Sequence, residues 1–126
     1  MITKQVRIVE VGPRDGLQNE AQIISLANKV KLIESLAHAG IAHIEAGSFV
    51  SAKWVPQMAD SLEVMQDIKR LKNVRYAALT PNKQGFDQAM DAKASEVAIF
   101  AAASESFSQK NINCSIAESL LRFEEI

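Results

Sequence analysis

The sequence predicts an α/β protein in which parallel strands and helices alternate, forming the first half of a TIM (β/α)8 barrel with about four βα units. Segments with strand character are followed repeatedly by segments with helical spacing. The predicted strands start at residues 6, 41, 74 and 95, at distances that suit right-handed βα crossovers. Long polar segments follow the strands and short ones precede them, which favours a barrel with one working face.

The first two units are defined by a change from β-branched to helical patterning. Val6–Val11 is predicted as strand one and Ile41–Ala46 as strand two. Between them, Leu26–Ala39 is predicted as a helix that ends at Gly40. One face of this helix collects its apolar positions, Leu26, Val30, Ile33 and Ala37. The other side is predicted to carry its charged residues, Lys29, Lys31 and Glu34.

The remaining units follow the same order. The next strands are predicted at Val74–Leu79 and Ser95–Ala101, and the helices at Asp60–Leu71, Asn82–Lys93 and Ser115–Ile126. The residues predicted to face inward are Val64, Ile68 and Leu71 in the first of these helices, and Phe86 and Met90 in the second. Ser115, with Glu118 three residues later, predicts a capping box. Lys93 stands where glycine would more comfortably end a helix, at a cost of at most about 1 kcal/mol.

Two architectures fit four units, an open doubly wound sheet and a piece of a barrel. A whole barrel needs about 250 residues, so residues 1–126 correspond to half of one. Such a half is expected to expose two strand edges and an apolar inner face. We therefore expect residues 1–126 to be either the N-terminal half of a longer barrel or a chain that a partner completes, such as a second copy in a homodimer.

The composition argues against several classes of protein. Apolar residues make up 48% of the chain, enough for a core, and a net charge of -1 does not suggest nucleic-acid binding. No apolar run approaches the roughly 18 residues that would indicate a membrane span. The single cysteine, Cys114, cannot form a disulfide within one chain. The N-terminus has no signal-peptide pattern, so a cytoplasmic protein is predicted.

The segment G-P-R-D-G-L-Q-N-E follows strand one at the end of the sheet where ligands bind. Arg14, Asp15 and Gln18 of this segment, and Glu45 of strand two, are expected to converge there. Asp15 offers hard oxygen atoms suited to Mg²⁺ or Mn²⁺, and Arg14 a forked donor for an oxyanion. Glu45 is suited to orient Arg14 or to handle a proton. The spacing alone favours a surface turn, in which Asp15 pairs with Arg14 or caps its own backbone.

Four segments carry a resemblance to a known family: V-E-V-G-P-R-D-G-L-Q-N-E, I-E-A-G-S-F-V-S-A-K-W-V-P-Q-M-A-D, L-T-P-N and F-A-A-A-S-E-S-F-S-Q-K-N-I-N-C-S-I-A-E-S. They resemble the hydroxymethylglutaryl-CoA lyases. The R-D-G-x-Q element is shared with homocitrate and isopropylmalate synthases, so it indicates only a superfamily of barrel-shaped metallolyases. The segments S-F-V-S-x-K-W-V-P-Q-M and K-N-I-N-C-S are more specific. The resemblance covers the first half of the family's barrel.

The resemblance implies a lyase that cleaves 3-hydroxy-3-methylglutaryl-CoA into acetyl-CoA and acetoacetate with a divalent cation, in leucine degradation and ketone-body formation. It implies Asp15 as a metal ligand and Arg14 as the group that stabilises the enolate. Gln18 and Glu45 are implied as further site residues, and Ser48 as a substrate-binding residue close by. The family's two metal-binding histidines, its asparagine ligand and its mobile-loop cysteine belong to the second half. The chain alone is therefore expected to be inactive.

Two alternative functions stay open at this point. One is a related acyl-CoA condensing synthase of the homocitrate or isopropylmalate type, against which the W-V-P-Q-M segment argues. The other is a non-catalytic half barrel that self-assembles through its exposed strand edges. All three functions share the same predicted strands and helices, so only the chemistry of the site separates them.

Overall fold

The part of the chain that the structure describes, residues 5–126 of a computed structural model, contains a parallel sheet of three strands in the order β1-β2-β3. The strands are His43–Ser48 (β1), Arg75–Leu79 (β2) and Glu96–Ala98 (β3). The α-helices are Leu26–His38 (α1), Ser61–Asp67 (α2), Lys83–Asp91 (α3), Glu105–Ile112 (α4) and Ile116–Phe123 (α5). Within residues 5–126 no helix is long and apolar enough to cross a bilayer. The predicted fold class, parallel βα units as in part of a barrel, is confirmed.

The prediction of a first strand at Val6–Val11 is largely wrong. Only Glu10 pairs with the sheet, through hydrogen bonds of 2.9 Å to the carbonyl of His43 and from the amide of Glu45. Val6 is 85% exposed, so its β-branched side chain has no surface to pack against. β-branched residues favour extended backbone, but a strand also needs packing neighbours. Residues 1–4, part of the segment judged to lack a signal peptide, lie outside the described residues.

One face of the sheet forms the core with the helices. Strand residues alternate in direction, so every second residue of β1 and β2 points toward the helices. The buried strand residues on this face are Ile44, Ala46, Tyr76 and Ala78. They pack with buried residues of the helices, chiefly Ile33 and Ala37 of α1, Val64 and Met65 of α2, and Ala89 of α3. This apolar layer fixes the sheet against the helices and leaves its other face open.

The other face of the sheet is mixed, so the predicted apolar inner face is present only in part. It has a charged cluster at one end and the apolar residues Ala77, Leu79 and Ala98 toward the other. Arg75 Nε lies 3.0 Å from Glu96 Oε1, and nitrogen atoms of Arg7 and His43 each lie 3.9 Å from the same oxygen. His43, Arg75 and Glu96 are the first residues of their strands. The cluster therefore lies at the amino ends of the strands. Glu45 follows on the same face of β1, nearer to the carboxyl end.

Helix α2 is shorter than predicted but keeps its predicted apolar face. It ends at Asp67, because the next residue, Ile68, has an extended backbone with ψ of 132°. Val64 and Ile68 are buried in the core, and Leu71 packs against it. The apolar spacing thus identified the right residues, although the last of them lie beyond the helix.

Helix α3 is rotated relative to the prediction. Gly85 and Ala89 are its buried residues, whereas Met90 is 56% exposed. A Cβ atom on Gly85 would lie 2.9 Å from the carbonyl oxygen of Phe49, so the helix packs too closely there for any larger residue. Successive helical residues differ by about 100° in direction. An error of one residue in phase was enough to place Met90 on the wrong face.

The segment after β3 contains a helix, α4, that was predicted as a loop. The hydroxyl of Ser104 caps it by accepting from the amide of Phe107 (3.3 Å), and the helix ends at Asn113, which has a φ of 51°. Its sequence, E-S-F-S-Q-K-N-I, lacks the apolar stripe that predicts a helix. Helix α5 begins as predicted. Ser115 and Glu118 form a capping box, with hydrogen bonds of 3.1 and 2.7 Å.

The capping box predicts a pH-dependent contribution to stability. Hydrogen bonds from the backbone amide and then the hydroxyl of Ser115 lower the pKa of Glu118 below its ordinary value. The box therefore stabilises the folded state above the ordinary carboxylate pKa, and this contribution is lost as the pH falls through the lowered value. We expect Ser115→Ala to raise the pKa of Glu118 part of the way, because the backbone donor remains. An NMR titration measures this, with exposed Glu63 as the control signal, and an unchanged Glu118 pKa would contradict it.

The chain leaves α3 through a left-handed residue that is not glycine, which confirms the prediction for Lys93. Its φ is 55°. Arg70 holds this turn by donating to the carbonyls of Lys93, Ala92 (2.8 Å) and Met65 (2.9 Å). Burial lowers the pKa of the Arg70 guanidinium, and Tyr76 opposes that change. The turn thus joins the end of α3 to the end of α2.

We expect Lys93→Gly to raise the free energy of unfolding by about 1 kcal/mol, because glycine adopts a positive φ without a steric penalty. The contact with Arg70 survives, since it uses the carbonyl of residue 93. Urea titration measures the change. Lys31→Gly, at an exposed position within α1, is the opposite control and should lower the same free energy by about 1 kcal/mol. A less stable Lys93→Gly would show that the lysine side chain contributes more than its backbone strain costs.

Candidate active site

The candidate site begins with a tight π-helical turn, Gly12–Gly16, which follows the isolated bridge to β1. Three consecutive amides, those of Arg14, Asp15 and Gly16, donate to the carbonyl oxygen of Val11 at 3.1, 2.7 and 3.3 Å. A single carbonyl thus fixes the direction of the turn. The side chains of Arg14 and Asp15 leave it at the edge of the sheet, beside β1.

Arg14 joins the turn to β1 through two carboxylates. Its Nε donates to Glu45 Oε1 at 2.5 Å, and its Nη1 donates to Asp15 Oδ1 at 2.9 Å. The side chains of Arg14 and Glu45 are 15% and 8% exposed, whereas that of Asp15 is 55% exposed. The pair with Glu45 is therefore shielded from water, and the pair with Asp15 is screened by it. The structure brings these three residues together, and Asp15 pairs with Arg14 as the surface-turn interpretation also expects.

A β-bulge in β1 brings Ser48 to the face that carries Glu45. Glu45 pairs with Ala77 of β2, but Gly47 pairs with the next residue, Ala78, so one residue of β1 is left over. A Cβ on Gly47 would lie 2.9 Å from the Ser61 side chain of α2, which shows that this position faces the helices. Ser48 therefore faces the opposite way. In a regular strand, residues three apart point to opposite faces, and here the bulge aligns them.

The hydroxyl of Ser48 is buried and has no hydrogen-bond partner within residues 5–126. Its own amide is satisfied, because it donates to Ser61 Oγ at 3.0 Å. Ser48 also lines a cavity of about 470 Å³, but the wall of this cavity includes Glu63 of α2 and Gly85 of α3, on the helix side of the sheet. A buried hydroxyl without a partner is costly. A molecule bound on the face that carries Glu45 would supply the missing hydrogen bond.

Gln18 lies apart from the other predicted residues. It lines a second cavity, of about 280 Å³, together with Trp54 and Gln57. Within the described residues, no hydrogen bond joins Gln18 to Arg14, Glu45 or Ser48. Among the five predicted residues, Arg14 contacts both Asp15 and Glu45, and Ser48 shares the face of β1 that carries Glu45. Gln18 is the fifth and lies apart from these four.

The donor atoms present fit one ligand position of a metal site. Asp15 offers a carboxylate with one oxygen held by Arg14, on a side chain that is largely open to solvent. Carboxylate oxygen is the ligand that Mg²⁺ and Mn²⁺ prefer. Glu45 is less available, because its carboxylate is buried against the Arg14 guanidinium. Within residues 5–126, no three histidine, cysteine, aspartate or glutamate side chains gather closely enough to hold an ion.

One lysine of α1, Lys29, is buried, and the prediction that it lies on the other, charged side of the helix is wrong. Lys29 is only 3% exposed. It donates to Asp60 Oδ1 at 2.6 Å and to the carbonyl of Gln57. A signal for this burial exists in the sequence, because Lys29 precedes Ile33 and Ala37 at intervals of four residues and shares their helical face. The prediction was based on the charge of Lys29 rather than on its position along the helix.

Comparison with known proteins identifies the class. A family model described as HMGL-like matches residues 5–126, so the chain belongs to the HMGL-like family.

Within that family, the chain is 62% identical over 123 residues to the mitochondrial hydroxymethylglutaryl-CoA lyase of Bos taurus. This match covers 98% of this chain and 38% of the bovine protein. The chain is 58% identical over 125 residues to the cytoplasmic 3-hydroxy-3-methylglutaryl-CoA lyase of Mus musculus, covering 99% of this chain and 36% of that one. The chain thus spans about two fifths of the length of the curated relatives it matches.

Solved structures agree with these sequence matches. The hydroxymethylglutaryl-CoA lyase of Pseudomonas aeruginosa superposes with a TM-score of 0.91 at 61% identity, over 95% of this chain and 40% of that one. An HMG-CoA lyase from Acinetobacter baumannii, solved in complex with coenzyme A and 3-methylmalate, has a TM-score of 0.90 at 39% identity, over 93% and 38% of the two chains. The likeness extends over at least 93% of this chain in both structures.

The unequal burial of the two ion pairs predicts unequal effects on stability. Glu45→Ala leaves a mostly buried guanidinium without its main partner, and we expect it to lower the free energy of unfolding by about 3 kcal/mol. Asp15→Ala removes a solvent-screened pair and should cost less than about 1 kcal/mol. Urea unfolding of the two variants makes the comparison. Equal losses would mean that the Arg14–Glu45 pair is no better shielded than the Arg14–Asp15 pair.

Proposed function

We propose that this chain supplies the N-terminal half of the catalytic barrel of a lyase that cleaves 3-hydroxy-3-methylglutaryl-CoA to acetyl-CoA and acetoacetate. The observation that carries the proposal is the contact of Arg14 with a buried and an exposed carboxylate, at the end of the sheet where barrel enzymes bind their substrates. Names of relatives that are about 60% identical support the same reaction. On this proposal, residues 1–126 lack the second half of the site and have no activity alone.

Retro-Claisen cleavage requires removal of a proton from a tertiary hydroxyl and stabilisation of the enolate that leaves. A divalent cation, proposed as Mg²⁺ or Mn²⁺, would acidify the hydroxyl when bound. Asp15 would hold it with the carboxylate oxygen that is open to solvent. Arg14 would direct its guanidinium to the thioester oxygen, on which negative charge grows.

Glu45 and Ser48 would act around that guanidinium. Glu45 fixes the orientation of Arg14 before substrate binds, because the 2.5 Å contact is buried and leaves little freedom. Ser48 would give its unpartnered hydroxyl to the substrate on the face of β1 that also carries Glu45. Gln18 would contribute from the neighbouring cavity, on the rim of the site.

The binding partner, the assembly, the location and the metabolic use of the products are proposed on the same basis. We propose an acyl-CoA as the small-molecule partner, supported by the relative that was solved with coenzyme A. A homodimer, or the other half of the barrel, would cover the open sheet face. The unpaired Cys114 supports a cytoplasmic location, although relatives include mitochondrial as well as cytoplasmic forms. Leucine degradation and ketone-body formation would use the products.

The test is a lyase assay on the intact native polypeptide, following acetoacetate release from 3-hydroxy-3-methylglutaryl-CoA with added Mg²⁺ or Mn²⁺. We expect Arg14→Lys to lower kcat about 100-fold to 1,000-fold, because an ammonium cannot reproduce the forked contact. Lys31→Met, a change at an exposed lysine of α1, should leave the rate unchanged. Equal rates for wild type and Arg14→Lys would remove Arg14 from the proposed role.

The alternative functions predict different products and sizes. A condensing synthase would consume acetyl-CoA with a 2-oxo acid and would leave 3-hydroxy-3-methylglutaryl-CoA intact, an outcome that would overturn the lyase proposal. A self-assembling half barrel would sediment as an oligomer at micromolar concentration and show neither activity. The lyase is favoured because Arg14 and Glu45 form a buried, preoriented pair and the unpartnered Ser48 shares the face of Glu45, features that self-assembly does not require.

A further inference from the structure

We infer that Lys29 and Gln57 are positioning residues: a buried clamp built on them fixes the loop that carries Asp15 against the loop that carries Ser48. The inference rests on the proposed function and adds to it two residues that touch neither substrate nor metal. The clamp consists of Lys29, Gln57 and Asp60, and it lies between the segment after the Gly12–Gly16 turn and the segment after β1.

Gln57 binds the first loop with its side chain. Its Oε1 accepts from the amide of Ile24 at 2.9 Å, and its Nε2 donates to the carbonyls of Gln22 (2.9 Å) and Glu20 (3.4 Å). Both ends of the amide are thus used, and the residue is only 3% exposed. Three backbone groups of a loop without regular structure are held by one side chain of another loop.

That loop is continuous with the metal-binding candidate. The amide of Glu20 donates to the carbonyl of Leu17 at 3.0 Å, and the side chain of Asn19 donates to the carbonyl of Asp15 at 2.8 Å. Covalent and hydrogen bonds together therefore join Asp15 to the residues that Gln57 holds. A shift of Gln57 would reach Asp15 through the backbone of this loop and through the side chain of Asn19.

The second loop is held from the other direction. The Lys29 ammonium donates to the carbonyl of Gln57 and to Asp60 Oδ1, so one buried charge binds two points of the loop. The next residue, Ser61, accepts from the amide of Ser48 at 3.0 Å and donates to the carbonyl of Met58 at 2.8 Å. Lys29 thus holds the loop that carries Ser48. It does so from α1, which is itself fixed in the core by Ile33.

The physical character of the clamp suits positioning more than stability. A buried ammonium gains little net stability from its carboxylate, because both ions lose their hydration. Its hydrogen bonds are directional, however, and each is costly to leave unmade. A site that needs its groups aligned within a fraction of an ångström benefits from such a network.

Two variants of the intact native polypeptide test the inference. Gln57→Leu removes the contacts to the first loop, and Lys29→Met removes those to the second. We expect each to weaken Mn²⁺ binding, followed by the electron paramagnetic resonance signal of free Mn²⁺, by about tenfold to 100-fold. We expect kcat/KM for 3-hydroxy-3-methylglutaryl-CoA to fall by a similar factor. Gln66→Leu and Lys31→Met, at exposed positions of α2 and α1, are the matched controls and should change neither value.

A third variant separates positioning from folding. Lys29→Met/Asp60→Leu replaces the ion pair with apolar side chains, which restores packing without restoring the directional bonds. If this variant unfolds at the wild-type urea concentration but still binds Mn²⁺ weakly, the clamp positions the site. If it regains wild-type Mn²⁺ affinity and kcat/KM, the clamp serves folding alone and the inference is overturned.

The outcomes for the inference and for the proposed function are distinct. Wild-type cleavage together with unchanged Mn²⁺ affinity and kcat/KM in Gln57→Leu and Lys29→Met overturns the inference and leaves the lyase. Wild-type Mn²⁺ binding that both variants weaken, without any cleavage, overturns the lyase and supports the clamp. A wild-type protein that neither binds Mn²⁺ nor cleaves the thioester overturns both.

Discussion

The bond between Arg14 and Glu45 is the contact on which the candidate site depends. The turn that carries Arg14 and Asp15 is joined to the sheet by little else, because the preceding segment pairs only at Glu10. A single β-bridge fixes the position of the turn along β1 but not its orientation relative to the sheet. The buried guanidinium–carboxylate pair supplies that second constraint, and its low exposure keeps water from competing for either group. The orientation of Asp15 toward solvent follows from it.

Two features that depend on neighbouring residues were read correctly from the sequence, and two that depend on distant contacts were not. The capping box at Ser115 and the left-handed Lys93 are local, and both are present in the structure. The strand predicted at Val6–Val11 failed because extended preference does not supply a packing surface. Lys29 was misplaced because a lysine is normally exposed, and its burial depends on two partners far along the chain, the carbonyl of Gln57 and the carboxylate of Asp60.

In the candidate site, too, some features were predicted from the sequence and others were not. Arg14, Asp15 and Glu45 were expected to converge from the rule that ligands bind at the carboxyl ends of parallel strands, and they do meet. The alignment of Ser48 with Glu45 required a bulge that no residue pattern announces, since it arises from pairing with β2. The charged cluster on the open face was also not predicted, because too few residues of each strand point to that face to reveal it.

The bulge in β1 places a limit on the length of this strand as well as on its composition. Of the two residues between Glu45 and Ser48, Gly47 has no room for a larger side chain, because a Cβ atom there would lie 2.9 Å from the side chain of Ser61. Loss of a single residue there would remove the bulge and leave the serine two residues after Glu45, where strict alternation keeps both on the same face. An insertion that kept the bulge would instead turn the serine hydroxyl toward the helices. Any redesign, loop graft or chimaera that joins this strand to a different barrel must therefore count residues before it compares them, because the spacing itself carries the chemistry.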